Sequence, residues 1–164
     1  MPPIATPDPL RAHVLELLHG GHAHLTFEDA VRDLPADLRG KAPRGAPYTA
    51  WQLVEHIRIT QHDILRFSIN TDGTYQPLEW PDDYWPKAKR PRDDAQWDAA
   101  LALVATDGKA MEALVRDPAQ DLFAPFPWGD GQTLLREALL VADHTAYHLG
   151  QLVLLRRLLG AWKG

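Results

Sequence analysis

The sequence predicts an all-α four-helix bundle, and three observations carry that reading. Four long stretches repeat their apolar residues with the three-to-four-residue period of a helix that buries one face. No stretch alternates apolar and polar residues convincingly enough for a half-buried strand. The connections are rich in proline and glycine, and two of them are long enough for a crossover rather than simple up-down order. At 164 residues one domain over the whole chain, residues 1–164, is expected.

The first helix is announced by Asp8 as N-cap and Pro9 at the first helical position, with Leu10, Val14, Leu17 and Leu18 on its apolar face and Gly20-Gly21 as its stop. A short second helix fits Thr26 to Val31, before a connection punctuated by Pro35, Gly40, Pro43, Gly45 and Pro47 that has room for a helical turn or two. Thr49 and Gln52 form a capping box. The helix they open carries Trp51, Leu53, Val54, Ile57, Ile64, Leu65 and Phe67 to about Asn70. Tyr75 to Arg92 then reads as a long aromatic loop, and loops of that length tend to be functional or mobile. Asp93 caps a third long helix through Trp97, Leu101, Val104, Met111, Leu114 and Val115, followed by Pro118. After a second aromatic loop, Phe123 to Gly131, the last helix runs from near Thr133 to Gly160. One of its faces reads Leu134, Ala138, Val141, Thr145, His148, Leu152, Leu155, Leu159.

Composition excludes several classes of function. The net charge is −5, and the basic residues Lys87, Lys89, Arg90 and Arg92 are broken by prolines and flanked by acids, so no nucleic acid partner is expected. No stretch approaches the ~20 apolar residues of a membrane span, and Met1-Pro2-Pro3 lacks the start of a secretion signal. A cytoplasmic location without membrane contact is the expectation. There is no cysteine, hence no disulfide, thiolate metal site or cysteine nucleophile. Any metal must be held by nitrogen or oxygen, and any thiol must come from outside.

Against that background the histidines stand out. His144 and His148 are spaced i and i+4 on one helix face, close enough to share an ion. By itself the pair is weak, since roughly 0.4 such pairs arise by chance among eight histidines in 164 residues. However, His148 sits in the core seam, and another long helix offers His56 beside Leu53, Ile57, Thr60 and Ile64. Histidines converging inside a bundle are costly unless a metal or hydrogen-bond partners satisfy them, and spacing leaves both options open. Metal-bound histidines usually donate their other N–H to a carboxylate or amide. Asp63 and Gln151 are the favoured partners, with Glu55 and Asp143 as alternatives. His19, His22 and His24 straddle two glycines and read as a helix end and solvated loop. His13 and His62 read as surface or boundary residues. Among the loop aromatics Trp80, Tyr84, Trp85, Phe126 and Trp128, those expected above all to line a pocket for an apolar substrate are Trp80, Trp85 and Trp128.

The run Ala142-Asp-His144-Thr-Ala-Tyr-His148-Leu-Gly-Gln151-Leu, continued by Leu155-Arg-Arg-Leu-Leu-Gly160-Ala-Trp162, resembles the C-terminal helix of DinB/YfiT-like proteins. Trp51-Gln-Leu-Val-Glu-His56-Ile resembles their second helix, and with Phe126-Pro-Trp-Gly-Asp130 the resemblance covers most of the chain. It implies an up-down-down-up bundle with long loops, frequent dimerisation, and a three-histidine site for zinc or nickel formed here by His56, His144 and His148. Relatives of this kind include bacillithiol- and mycothiol-dependent transferases and an isomerase, alongside many members without a known activity.

Three protein ligands leave coordination positions open, as catalytic sites do. The leading expectation is a metal-dependent transferase that activates a low-molecular-weight thiol and presents it to a small-molecule electrophile. A metal-dependent hydrolase is the second reading, although no glutamate follows His144 as in the HExxH metalloproteases. A non-catalytic dimeric bundle, in which metal or nothing fills a vestigial site and the exposed aromatics bind a partner, is the third. Among zinc, nickel, cobalt, manganese and iron, three imidazoles do not choose.

Overall fold

The structure, a computed structural model, describes residues 8–162; Met1-Pro2-Pro3, read above for the absence of a secretion signal, lies outside them. Each helix begins where its cap dictates. Asp8 accepts from the Leu10 and Arg11 N–H groups to start α1 (Pro9–His19), and Gly20, at φ 75°, ends it in a left-handed conformation that a side chain would oppose. Thr26 caps the short α2 (Phe27–Val31), which is followed by a 3-10 turn at Ala36–Leu38. The Thr49–Gln52 capping box opens α3 (Ala50–Ser68). Asp93 caps α4 (Asp94–Arg116), and Thr133 caps α5 (Leu134–Leu158). α3 stops at Ser68, short of Asn70, whose side-chain carbonyl accepts from the Tyr75 N–H instead of extending the helix. Among the described residues there is no strand, only an isolated bridge between Pro125 and Thr133.

α1, α3, α4 and α5 form the bundle, and two apolar clusters reveal its directions. One joins Trp51, Val54 and Ile57 of α3 to Trp97 and Val104 of α4 and to Leu149, Leu152 and Leu155 of α5. The other joins Ile64 and Leu65 of α3 to Met111 and Val115 of α4, Leu134 and Val141 of α5, and Val14 of α1. α3 and α4 therefore run parallel, with α5 antiparallel to both. Arg11, near the start of α1, donates to the carbonyls of Val115, Asp117 and Gln120 at the end of α4. That sets α1 against α4 and completes an up-down-down-up order. Arg156 is buried at the opposite end, donating to Ala30 of α2 and Ala161 beyond α5, so the carbonyls left open there are satisfied.

Because α3 and α4 are parallel, residues 69–93 must travel the length of the bundle to connect them. They do so along a polar seam of α3. Asn70 accepts from the Tyr75 N–H, and Asp63 accepts from the hydroxyls of Tyr75 and Tyr84. His56 meets the Tyr84 carbonyl, Gln52 donates to the Pro86 carbonyl, and Thr49 donates to the Lys89 carbonyl. Thr49, His56, Asp63 and Asn70 are one heptad apart, which keeps them on a single edge of the helix. Where the loop ends, Arg90 packs so closely on Gly40 that any Cβ there would clash with it.

Leu152 is fully buried between the helices. Its replacement by alanine should lower the unfolding free energy by ~2–5 kcal/mol in urea titrations. Leu103→Ala, at an exposed position of α4, should stay within about 0.5 kcal/mol of the parent.

Candidate metal centre and its cavity

Antiparallel packing of α3 and α5 places His56 opposite His144 and His148. His56 and His148 are buried and His144 half-buried, and one ring nitrogen of each lies within 4.8 Å of the others. The Nε2 atoms of His56 and His144 are 3.0 Å apart. The indole of Trp85 lies flat on the His56 ring with centroids 3.8 Å apart, and Tyr48 stacks on the same indole at 3.9 Å.

The partners of the remote nitrogens determine what the inner ones offer. His56 Nδ1 donates to the Tyr84 carbonyl at 2.9 Å, and His148 Nδ1 donates to Gln151 Oε1 at 2.8 Å. Neither oxygen has a hydrogen to give, so both rings hold their proton on Nδ1 and keep a lone pair on Nε2. Protonating the cluster is unfavourable. Burial lowers the pKa of His56 and His148, against the opposing effect of the hydrogen bonds to Tyr84 and Gln151. For His144, burial and then the neighbouring His148 and His56 push the pKa down to about 3. With a lone pair on His56 Nε2, the hydrogen bond to His144 is donated by His144 Nε2, whose proton would move to its outer nitrogen when an ion binds. Neutral imidazoles so placed, two of them braced at the outer nitrogen, are the donor set that divalent transition metals take, with nitrogens at ~2.0–2.1 Å from the ion. These residues can hold a metal ion.

The cluster forms one part of the wall of a cavity of about 750 Å³, within the range of small-molecule sites. Trp80, Tyr84 and Trp85 from the long loop line it, together with Phe67 and Ile64 of α3 and Leu140 and Tyr147 of α5. The other part is polar and contains Asp63, Tyr75, Arg136 and Glu137. Glu137 is buried and accepts from Arg136 Nη1 at 2.7 Å; burial, more than the nearby charge of Asp63, raises its pKa against the effect of Arg136. Asp63 lies seven residues after His56, and Glu137 lies seven before His144. In antiparallel helices these two offsets coincide, so the cavity has a histidine tier and a carboxylate tier about 10.5 Å apart along the helix axes.

Two sequence expectations need correction. Asp63 does not accept from a histidine ring: both its oxygens are taken by the hydroxyls of Tyr75 and Tyr84, at 2.9 and 2.7 Å, because a residue two turns from His56 cannot reach its ring. Trp128 does not line the cavity. It stacks on Phe126 and its indole N–H donates to the Phe67 carbonyl at 2.8 Å, which anchors the second loop to the end of α3. Gln151 does meet His148, whereas Glu55 pairs with Arg58 and Asp143 is exposed. His13, His19, His22 and His24 lie apart from the cluster; His62 pairs with Asp107 at 2.9 Å. Sequence reasoning missed Glu137, Arg136 and Tyr75. The heptad offset of Glu137 from His144 was the available signal, since it puts an acid on the edge that carries two candidate ligands.

The tyrosine–aspartate bonds have a measurable signature. Burial and then Asp63 raise the Tyr75 pKa to about 12, and the same causes in the same order raise that of Tyr84. Of the four tyrosines, these two should ionise late in an absorbance titration of the phenolates, and Asp63→Asn should bring both back toward the ordinary value. A folded pKa above the unfolded one, ~10, means stability that is complete below pH ~10 and lost as pH rises through the folded values. Chemical denaturation between pH 9 and about 12 should show that loss, and the Asp63 variant should show less of it.

Comparison with known proteins adds a single finding. No curated protein and no solved structure matches the chain. A family model described as the DinB superfamily matches residues 10–152, from α1 to the last third of α5, and that match includes His56, His144 and His148. The chain belongs to the DinB superfamily.

Proposed function

We propose that this is a cytoplasmic metal-dependent enzyme, with zinc or nickel on His56, His144 and His148, that transfers a low-molecular-weight thiol of the bacillithiol or mycothiol kind to a small electrophile. The observation that carries this reading is the convergence of three imidazoles, two braced as Nδ1–H tautomers, on the wall of a substrate-sized cavity. A bound ion would supply Lewis acidity that lowers the pKa of a thiol and holds the thiolate.

The chain's own residues fit the remaining tasks. With only three protein ligands the centre keeps room for an outside sulfur, and the absence of cysteine means that the sulfur must be brought in. Trp85 covers one face of His56 and excludes water from it. Trp80, largely exposed, and Tyr147 offer apolar surface at the mouth for an electrophile. Hydrolysis is less well supported. The carboxylates lining the cavity, Asp63 and Glu137, lie about 10.5 Å along the helices from the histidines, too far to take a proton from water at the centre. We also propose a homodimer formed through α5, whose Leu139, Leu154 and Leu158 make an exposed stripe at helical spacing.

Elemental analysis of tag-free protein should find about one ion per chain, lost when all three histidines are alanine. The loaded protein should then consume an electrophile only when a thiol is present. Turnover of an ester or amide without thiol would instead establish hydrolysis, and full metal occupancy without turnover would leave a binding protein. Sedimentation equilibrium should report a dimer that Leu154→Lys with Leu158→Lys converts to monomer.

A further inference from the structure

We propose that Asp63 is a positioning residue for His56, acting through Tyr84 from two helical turns away. The proposal rests on the metal-centre reading above, and concerns what keeps one of its ligands in the form that can bind.

Tyr84 is held by α3 at two points. Its carbonyl accepts from His56 Nδ1 at 2.9 Å, and its hydroxyl donates to Asp63 Oδ2 at 2.7 Å. Between Tyr75 and Arg92 there is no α-helix to place that carbonyl, so its position depends on such anchors. The next residue, Trp85, lies flat on the His56 ring. One dipeptide thus fixes both the plane of the imidazole and the nitrogen that carries its proton. If the carbonyl drifts, His56 can move its proton to Nε2 and the lone pair facing His144 and His148 disappears.

The geometry includes its own control. Tyr75 donates to the other oxygen of the same carboxylate at 2.9 Å, yet it has no hydrogen bond to a histidine, and its ring packs on Phe67. A role confined to folding would make the two phenols equivalent. A role directed at His56 makes only Tyr84 matter for the metal.

The test compares Asp63→Ala, Tyr84→Phe, Tyr75→Phe and the Asp63→Ala/Tyr84→Phe double variant in the full chain. Zinc affinity is measured by competition with a chromogenic chelator, the His56 tautomer by nitrogen-15 NMR of metal-free protein, and folding by thermal midpoint. Asp63→Ala and Tyr84→Phe should each weaken zinc binding about tenfold or more. The double variant should lose no more than Asp63→Ala, as expected when one residue acts through the other. Tyr75→Phe should stay within about twofold of the parent in affinity, even where its midpoint falls as far as that of Tyr84→Phe. In metal-free Tyr84→Phe, His56 should shift from the pure Nδ1–H form to a mixture. Unchanged zinc affinity and tautomer in Tyr84→Phe, or an equal loss in Tyr75→Phe, would overturn the proposal. Should the parent itself bind no zinc, the metal-centre reading fails, and the NMR arm alone decides whether Asp63 and Tyr84 set the ring.

Discussion

The polar seam of α3 is the constraint on which the rest of the structure depends. Parallel packing of α3 and α4 forces the chain to span the bundle between Ser68 and Asp93, and a segment that long cannot bury its backbone without partners. Thr49, Gln52, His56 and Asn70 supply them along one edge of the helix, and on the same edge Asp63 holds the hydroxyls of Tyr75 and Tyr84. The opposite edge of the same helix holds Trp51, Leu53, Val54, Ile57, Ile64 and Leu65 in the two apolar clusters. α3 therefore has two amphipathic partners: the core on one side and the loop on the other. His56 belongs to both, since it is buried in the bundle while its outer nitrogen is tied to the loop.

That dual membership is part of how two buried histidines and a half-buried one can be held together at a tolerable cost. An unpaired imidazole N–H inside a bundle forfeits its hydrogen bonds to water. Here two of the three are repaid by the Tyr84 carbonyl and the Gln151 amide, and burial keeps all three rings neutral. The third N–H, on His144 Nε2, is donated to the His56 Nε2 lone pair at 3.0 Å, a bond that an ion would replace. A core built for stability alone would fill that volume with apolar side chains, as α3 and α5 do on either side of it with Val54, Ile57, Leu149 and Leu152.

The sequence made the helices legible because their starts are chemical. Asp8, Thr26, Thr49, Asp93 and Thr133 each cap the helix that the apolar period implied. The candidate ligands were legible too, for i and i+4 spacing on one helix and a core-facing histidine on another need no tertiary information. What spacing could not reveal was the path of the loop. Nothing local in Tyr75 or Tyr84 indicates that both hydroxyls converge on Asp63, and so spacing alone pairs Asp63 directly with histidine. Trp128 poses the same difficulty: an aromatic in a loop can face a cavity or anchor the loop, and only the location of the Phe67 carbonyl decides. Glu137 escaped notice because its meaning lies in a pairing between helices. Its offset from His144 matters only once α5 is known to run antiparallel to α3.

Membership of the superfamily accounts for the bundle, but the chemistry performed depends on residues that the bundle does not require. The histidine tier is formed by helices and, under the function proposed above, would accept any thiol small enough to enter. The surfaces that could discriminate among substrates are the loop aromatics Trp80, Tyr84 and Trp85 and the carboxylate tier with Arg136. Those two surfaces are linked. Asp63 lies in the carboxylate tier and holds Tyr84, and Tyr84 holds His56. A substrate group that competes for Asp63 would therefore act on the same bond that orients a candidate ligand. Under that proposal recognition and metal binding would share a side chain, and a change that alters one should alter the other.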